Sequence, residues 1–281
     1  MPKLIKRLDV TAIQRGCVYD GTGVRTTVFL KGCPFSCPWC CNPETLYTSP
    51  SFFIDNKKCI KEKGWDSPLC KKCIRKGGFE PLEHCPFGVS EATSHPLSVE
   101  ELTVYLLRDK SVYQLSGGGV TFSGGDPIIH ISELFPLLEK LKEEQIHCTI
   151  ETTLYCKDSA ILLESVSYIN EWIVDLKFQK ENYREDYDDV MTFNLRLLRN
   201  LGVNISFRLV FVESMEADEI VERLKKLGVL SLEVLKCHAL AESKYTKLGL
   251  PFRHYVPSTK SYLDFITALL MAGVDVKELA L

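Results

Sequence analysis

No apolar run in the 281 residues approaches the roughly 18 needed to cross a bilayer, and the opening MPKLIKRLDVTAIQRGC lacks the apolar core of a secretory signal. The expectation is a cytoplasmic protein with no membrane partner. Excess charge is also missing: 34 Lys and Arg stand against 37 Asp and Glu, and a net charge of −3 gives no global footprint for nucleic acid. There is no internal repeat and no low-complexity tract. With 45% hydrophobic and 25% charged residues the chain falls in the globular range, long enough for one sizeable core and a small annex. Cysteine is what it has in abundance. There are 12, eight of them from Cys33 to Cys85, and in a reducing compartment such a cluster reads as metal ligands rather than disulfides.

From about residue 98 onward, short apolar runs alternate with amphipathic stretches, the pattern of β/α units around a parallel sheet. Strands are predicted at Thr26–Leu30, Val120–Ser123, Cys148–Glu151, Trp172–Leu176, Ile205–Phe211 and Leu232–Leu235. Helices are predicted near 98–110, 132–144, 158–169, 181–200, 216–227 and 259–272. Ser98-Val-Glu-Glu101 reads as a capping box opening the first helix. Six such units fit either an incomplete barrel or an open doubly wound sheet, and in both the chemistry gathers at the C-terminal strand ends. Residues 50–96 break the rhythm, being rich in Lys, Gly, Pro and Cys. They read as a small inserted domain that needs a metal staple, with 1–49 and 97–281 forming the main unit.

Gly32-Cys33-Pro-Phe-Ser-Cys37-Pro-Trp-Cys40 spaces three thiols by three and two residues directly after a strand. Such a loop can wrap three corners of a cubane cluster and leave one iron open to a ligand. A zinc knuckle or a redox thiol pair fits the spacing as well. Cys41 competes as third ligand, but its side chain points away if Cys40 faces the cluster.

The cysteine run, preceded by Asp20-Gly-Thr-Gly-Val-Arg25 and followed by Asn42-Pro-Glu, resembles the glycyl-radical-enzyme activating enzymes of the radical S-adenosylmethionine superfamily, of the pyruvate formate-lyase activating type. Gly117-Gly-Gly-Val-Thr-Phe-Ser-Gly-Gly125-Asp126-Pro resembles their second signature, and Trp172-Ile-Val-Asp175-Leu-Lys177, Phe207-Arg208 and Cys237-His238-Ala-Leu resemble later ones. The resemblance covers nearly the whole chain in order. It implies a partial (β/α)6 TIM-like barrel with a small cysteine-rich, ferredoxin-like insertion. It also implies a site-differentiated 4Fe-4S cluster on Cys33, Cys37 and Cys40 whose open iron is chelated by S-adenosylmethionine. One electron, from a flavodoxin or ferredoxin-type donor, then yields a 5′-deoxyadenosyl radical.

By the same resemblance Trp39, Ser123, Gly124, Gly125, Asp126, Thr152, Lys177, Arg208 and His238 surround the cofactor, and Asp20 and Lys177 join the cysteines in catalysis. Asp126 stands where the family usually has Glu. Glu151 and Asp175 also border the cofactor, and with Thr152 they offer oxygen ligands for a monovalent cation, Glu151 replacing the Asp of enzymes that use one; a charged strand-end pair solvated by loops is the alternative. The insertion's Cys59, Cys70, Cys73 and Cys85-Pro86 match one closed four-iron cluster, with a four-cysteine zinc site as the rival and His84 as a substitute ligand. Cys17, Cys148, Cys156 and Cys237 read as small buried hydrophobes.

The leading expectation is an activase that takes a hydrogen atom from a backbone glycine of a large glycyl radical enzyme, with the Asp20 segment helping to receive the partner's glycine loop. The alternative is a radical enzyme acting on a peptide or small molecule. Those enzymes usually carry auxiliary clusters after the barrel, whereas here the extra cysteines precede most of it. An electron-transfer or zinc-binding scaffold explains the cysteines but not the ordered polar residues at strand ends.

Overall fold

The computed structural model describes residues 7–65, 67, 68, 70, 85–179 and 184–279. Its main sheet contains nine strands: β1 (Arg7–Cys17), β2 (Arg25–Leu30), β5 (His95–Ser98), β6 (Gly119–Gly124), β7 (His147–Thr152), β8 (Glu171–Asp175), β9 (Asn204–Phe211), β10 (Ser231–Lys236) and β11 (Asp275–Leu279). Their order is β11-β10-β9-β8-β7-β6-β2-β1-β5. The run from β2 to β11 is parallel and strictly sequential. A doubly wound sheet must reverse its order at a switch point, so this order selects the barrel. β5 and β11 do not pair, and the barrel is therefore partial.

The two faces of the parallel strands differ, as a period of two requires. Val28, Val120, Phe122, Cys148, Ile150, Trp172, Val174 and Leu209 are buried in the apolar core. Outside them the amphipathic helices close that core: α3 (Ile131–Glu143) buries Leu134, Leu137, Leu138 and Leu141, and α5 (Tyr187–Asn200) buries Met191, Leu195 and Leu198. Alternate residues instead place Thr27, Thr121, Ser123, Thr149, Glu151, Glu171, Asp175, Arg208 and Glu233 on the opposite, lumen face. Polar side chains there have partners: Thr121 Oγ1 donates to the Asp20 carbonyl at 2.6 Å, and Thr149 Oγ1 donates to Glu171 at 3.2 Å.

The predicted helices are present with shifted ends. The capping box forms, with Glu101 N–H donating to Ser98 Oγ at 3.2 Å and Ser98 N–H to Glu101 Oε2 at 2.7 Å. The helix it opens, α1 (Val99–Leu106), passes through a 3-10 turn into α2 (Lys110–Ser116). The next is α4 (Ser159–Ser165), and α5 begins at Tyr187 rather than 181; residues 181–183 lie outside the described set. α6 (Ala217–Leu227) and α8 (Thr259–Met271) match, while α7 (Glu242–Leu248) was not expected.

Within the insertion, β3 (Phe52–Ile54) and β4 (Ser90–Ala92) form an antiparallel pair at its base. Lys31, at the end of β2, reaches into this junction. Its Nζ donates to the Glu44 carbonyl (2.7 Å), Ser51 Oγ (2.8 Å) and Thr93 Oγ1 (3.1 Å), which satisfies a buried ammonium group. His95 and Pro96, expected in the insertion, instead pair with Val10 and Asp9 in the main sheet.

Candidate active site

The cysteine loop leaves β2 at the C-terminal mouth of the barrel. Phe35, 2% exposed, anchors it by inserting edge-on against Tyr155 (5.7 Å between ring centroids) and Tyr187 (5.1 Å). Arg184 covers the Phe35 ring and donates to the Pro34 carbonyl at 2.5 Å. On the other side Tyr245 OH lies within donating distance of the Pro38 (3.3 Å) and Cys40 (3.1 Å) carbonyls. A proline-rich loop has few backbone hydrogen bonds of its own, and these contacts supply its rigidity.

Between the anchors Cys33, Cys37 and Cys40 line one side of a pocket, and Cys41 lines its rim. Phe35 N–H donates to Cys33 Sγ and Asn42 N–H to Cys40 Sγ, both at 3.4 Å. Burial, followed by the charge of Asp126, pushes the Cys33 thiol up to about 12. Burial likewise raises the Cys37 thiol, and raises that of Cys40 well above its ordinary value. Iron replaces those protons when a cluster binds. Among the described residues no three Cys, His, Asp or Glu side chains converge on a single metal ion. Three thiols that line one pocket can each bind a different iron of a cluster.

The facing wall carries Ser123, Gly124, Gly125, Glu151, Thr152, Asp175, Lys177, Arg208 and His238, with Trp39 beside them. Gly124 ends β6 at φ +109°, where a Cβ would stand 2.4 Å from the Leu30 backbone nitrogen. At Gly125 a Cβ would stand 2.0 Å from the Gly32 carbonyl oxygen, so only glycine lets these loops close side by side. Lys177 Nζ lies 2.5 Å from Asp175 Oδ2. Burial would depress this lysine, but the charge and hydrogen bond of Asp175 hold it well above its ordinary value. Asp175 Oδ1 is buried without a hydrogen-bond partner, an acceptor on the pocket wall that fits the donors of a bound cofactor. His238 Nδ1 accepts from Leu240 N–H at 3.2 Å, which assigns the proton of its neutral form to Nε2; burial lowers its pKa and favours that form.

Three expectations need correction. Asp126 does not line the pocket. Its carboxylate turns inward to accept from Ile128 N–H (3.1 Å), Thr153 N–H (3.0 Å) and Thr153 Oγ1 (2.5 Å), capping a 3-10 turn and tying β6 to the loop after β7. Glu151, expected to offer oxygens to a monovalent cation, is engaged at both oxygens, by Arg208 Nη1 at 2.7 Å and Ser123 Oγ at 2.6 Å. A cation beside it would face the guanidinium. Arg208 is not a free cation either, since it also bonds Glu233 (2.9 Å) and the Tyr19 carbonyl (2.5 Å). Asp20 lies in the lumen beneath, accepting from Thr27 Oγ1 at 2.6 Å, and does not line the pocket.

Sequence reasoning missed Glu233, Lys244 and Tyr245. A charge inside the apolar run Leu232–Leu235 was the available signal for Glu233, the same one that marks Arg208. In the insertion, Cys59 and Cys70 are buried and Cys85 is half-buried, while Cys73 and His84 lie outside the described residues.

An open-sided thiol loop above a polar lumen, on a sequentially wound partial barrel, defines an iron–sulfur enzyme with room for a cofactor at the cluster. A family model described as a 4Fe-4S single cluster domain matches residues 19–198. The chain is 30% identical over 285 residues to the 4-hydroxyphenylacetate decarboxylase activating enzyme of Clostridioides difficile (strain 630), covering 90% of this chain and 88% of that protein. It is 32% identical over 248 residues to the pyruvate formate-lyase 2-activating enzyme of Escherichia coli (strain K12), covering 84% and 80%. The (2S)-3-sulfopropanediol dehydratase activating enzyme of Klebsiella oxytoca matches at 30% identity, covering 86% and 85%. The chain belongs to the radical S-adenosylmethionine family of glycyl-radical-enzyme activating enzymes.

Proposed function

We propose that this chain reductively cleaves S-adenosylmethionine and takes a hydrogen atom from a glycine of a partner glycyl radical enzyme. The observation that carries the reading is the placement of Cys33, Cys37 and Cys40 on one side of a pocket whose other wall is a set of strand-end polar groups. When bound, the cluster and S-adenosylmethionine supply the carbon-centred radical that the transfer requires. The chain's own residues do the rest. Cys33, Cys37 and Cys40 fix three irons, the Gly124–Gly125 backbone and Asp175 Oδ1 receive donors of the methionyl end, and His238 offers an Nε2–H donor. Lys177, ion-paired with Asp175, stands beside the thiols.

In the same reading residues 50–94 form the insertion, and Cys59, Cys70, Cys73 and Cys85 hold a second four-iron cluster there. A flavodoxin- or ferredoxin-type protein in the cytoplasm delivers the electron. Among the described residues no helix is long and apolar enough to cross a membrane. The test is anaerobic reconstitution, dithionite reduction and chromatography of 5′-deoxyadenosine, followed by electron paramagnetic resonance of a candidate partner bearing a C-terminal glycine loop. Cofactor cleavage and a glycine-centred doublet are expected. Cleavage without a radical on any such partner would return the chain to peptide or small-molecule chemistry, and absence of cleavage by a cluster-loaded protein would refute the reading.

A further inference from the structure

α7 is a seven-residue helix that nothing in the reaction outlined above requires, yet it packs against β3 of the insertion and faces the cysteine loop. Tyr245, 3% exposed, places its hydroxyl on the carbonyls of Pro38 and Cys40, fastening the loop on both sides of Trp39. Lys244, one position earlier, donates from Nζ to the Cys41 carbonyl (3.2 Å), Asn42 Oδ1 (3.0 Å) and Glu44 Oε1 (2.6 Å). The Glu44 side chain is only 11% exposed, and its Oε2 is buried without a partner. One helix therefore touches the backbone of the loop's last ligand and sets a cation against Glu44, the anion immediately beyond it.

We propose that Lys244 and Tyr245 are positioning residues of the cysteine loop, and that the Lys244–Glu44 pair sets how readily the cluster on that loop accepts an electron. The proposal rests on the loop's holding the cluster, as argued above. Reduction adds a negative charge to the cluster, so a nearby cation favours it and a nearby anion opposes it. Water screens the Glu44 carboxylate weakly, because it is almost buried, and the half-exposed Lys244 more strongly. As a pair the two charges largely cancel. Removing either one alone exposes the other, and the two removals must act in opposite directions. A merely structural contact has no such sign.

The experiment measures the midpoint potential of the full-length, cluster-loaded protein by dithionite titration with paramagnetic resonance. The loop's cluster is identified by the change in its signal when S-adenosylmethionine is added. Iron and sulfide are counted first, so a wild-type protein whose loop binds no cluster would overturn the functional reading rather than this one. In Lys244→Met the equilibrium constant for reduction should fall roughly tenfold, about 59 mV for one electron. Glu44→Gln should raise it by a similar factor, the double variant should return near wild type, and Lys244→Arg should leave it unchanged. Tyr245→Phe should keep the potential but release iron to a chelator several times faster. Shifts of the same sign in Lys244→Met and Glu44→Gln, or no shift in either, would overturn the proposal, as would a Lys244→Arg protein that behaves like Lys244→Met. If Lys244→Met does not retain its cluster, Glu44→Gln and Lys244→Arg still decide it.

Discussion

Arg208 shows how one side chain can set the chemistry of a lumen. Its guanidinium, 6% exposed, stands between Glu151 and Glu233 and reaches the Tyr19 carbonyl from below. Burial alone would raise the Glu151 pKa, but the charge of Arg208 and the Ser123 hydroxyl outweigh it and hold the group below its ordinary value. A depressed carboxyl pKa contributes stability that is complete above the unfolded value of about 4.3 and is lost as pH falls through the folded value. Arg208→Met leaves Glu151 with only the Ser123 hydroxyl and Glu233 with only Lys277, and should cost about 3 kcal/mol. The urea midpoint at pH 7 should drop accordingly, and acid unfolding should begin at higher pH than in the wild type. An unchanged acid midpoint would mean that Glu151 does not depend on Arg208. The two adjacent cysteines separate at the same scale. Cys40 Sγ accepts the Asn42 amide, whereas Cys41 lies exposed at the rim. Cys40→Ala should abolish 5′-deoxyadenosine formation, while Cys41→Ala should keep most of it; equal losses would reverse the assignment.

Among elements, the end of β6 carries the tightest constraint on the site. Its glycine pair lets the strand end lie against Leu30 and Gly32, the residues from which the cysteine loop departs. Gly125→Ala cannot be absorbed by a side-chain rotation, since the obstacle is the Gly32 carbonyl itself. The variant should lose both cluster occupancy and several degrees of melting temperature, read by iron analysis and calorimetry. A variant with full iron content and wild-type melting would show that the loop tolerates displacement. Six of the seven parallel strands were legible because each alternates apolar core residues with polar lumen residues; β11, which alternates little and buries only Leu279, was not expected. β1 was not legible: it pairs antiparallel with its neighbours, and its outer half, Ala12–Cys17, buries no residue fully. α7 was missed because seven residues are too few for a helical period to show. Of the candidate site residues, those fixed by strand-end position reached the pocket. Asp126 failed because a carboxylate after a glycine pair serves equally well as a turn cap, and sequence alone does not say which way it turns. The Glu151 partner Arg208 was not legible because it comes from a strand 57 residues away.

Over the whole molecule, the proposed function assigns the two cysteine sets to two units. The barrel mouth is fixed by a continuous core and by anchors on α5 and α7. The insertion is joined to it through the β3–β4 pair, the Lys31 junction and the face of α7. Cys70, buried there, is a ligand in the proposed second cluster, and Cys70→Ala should lower iron from about eight to about four atoms per chain. With dithionite, a small reductant that can reach the barrel cluster directly, that variant should still form 5′-deoxyadenosine at close to the wild-type rate. With a flavodoxin- or ferredoxin-type donor, whose electron must enter at a docking surface, glycyl radical formation on the partner should fall at least tenfold. Both products are measured in one sample, after near-ultraviolet circular dichroism has confirmed that the variant is folded. Loss of cleavage with either reductant, at full occupancy of the barrel cluster, would mean that the insertion shares in the cleavage itself and that the two units are one site. Retention of both products with the protein donor would leave the insertion no part in electron delivery, and the Lys31 junction would then fasten a purely structural module.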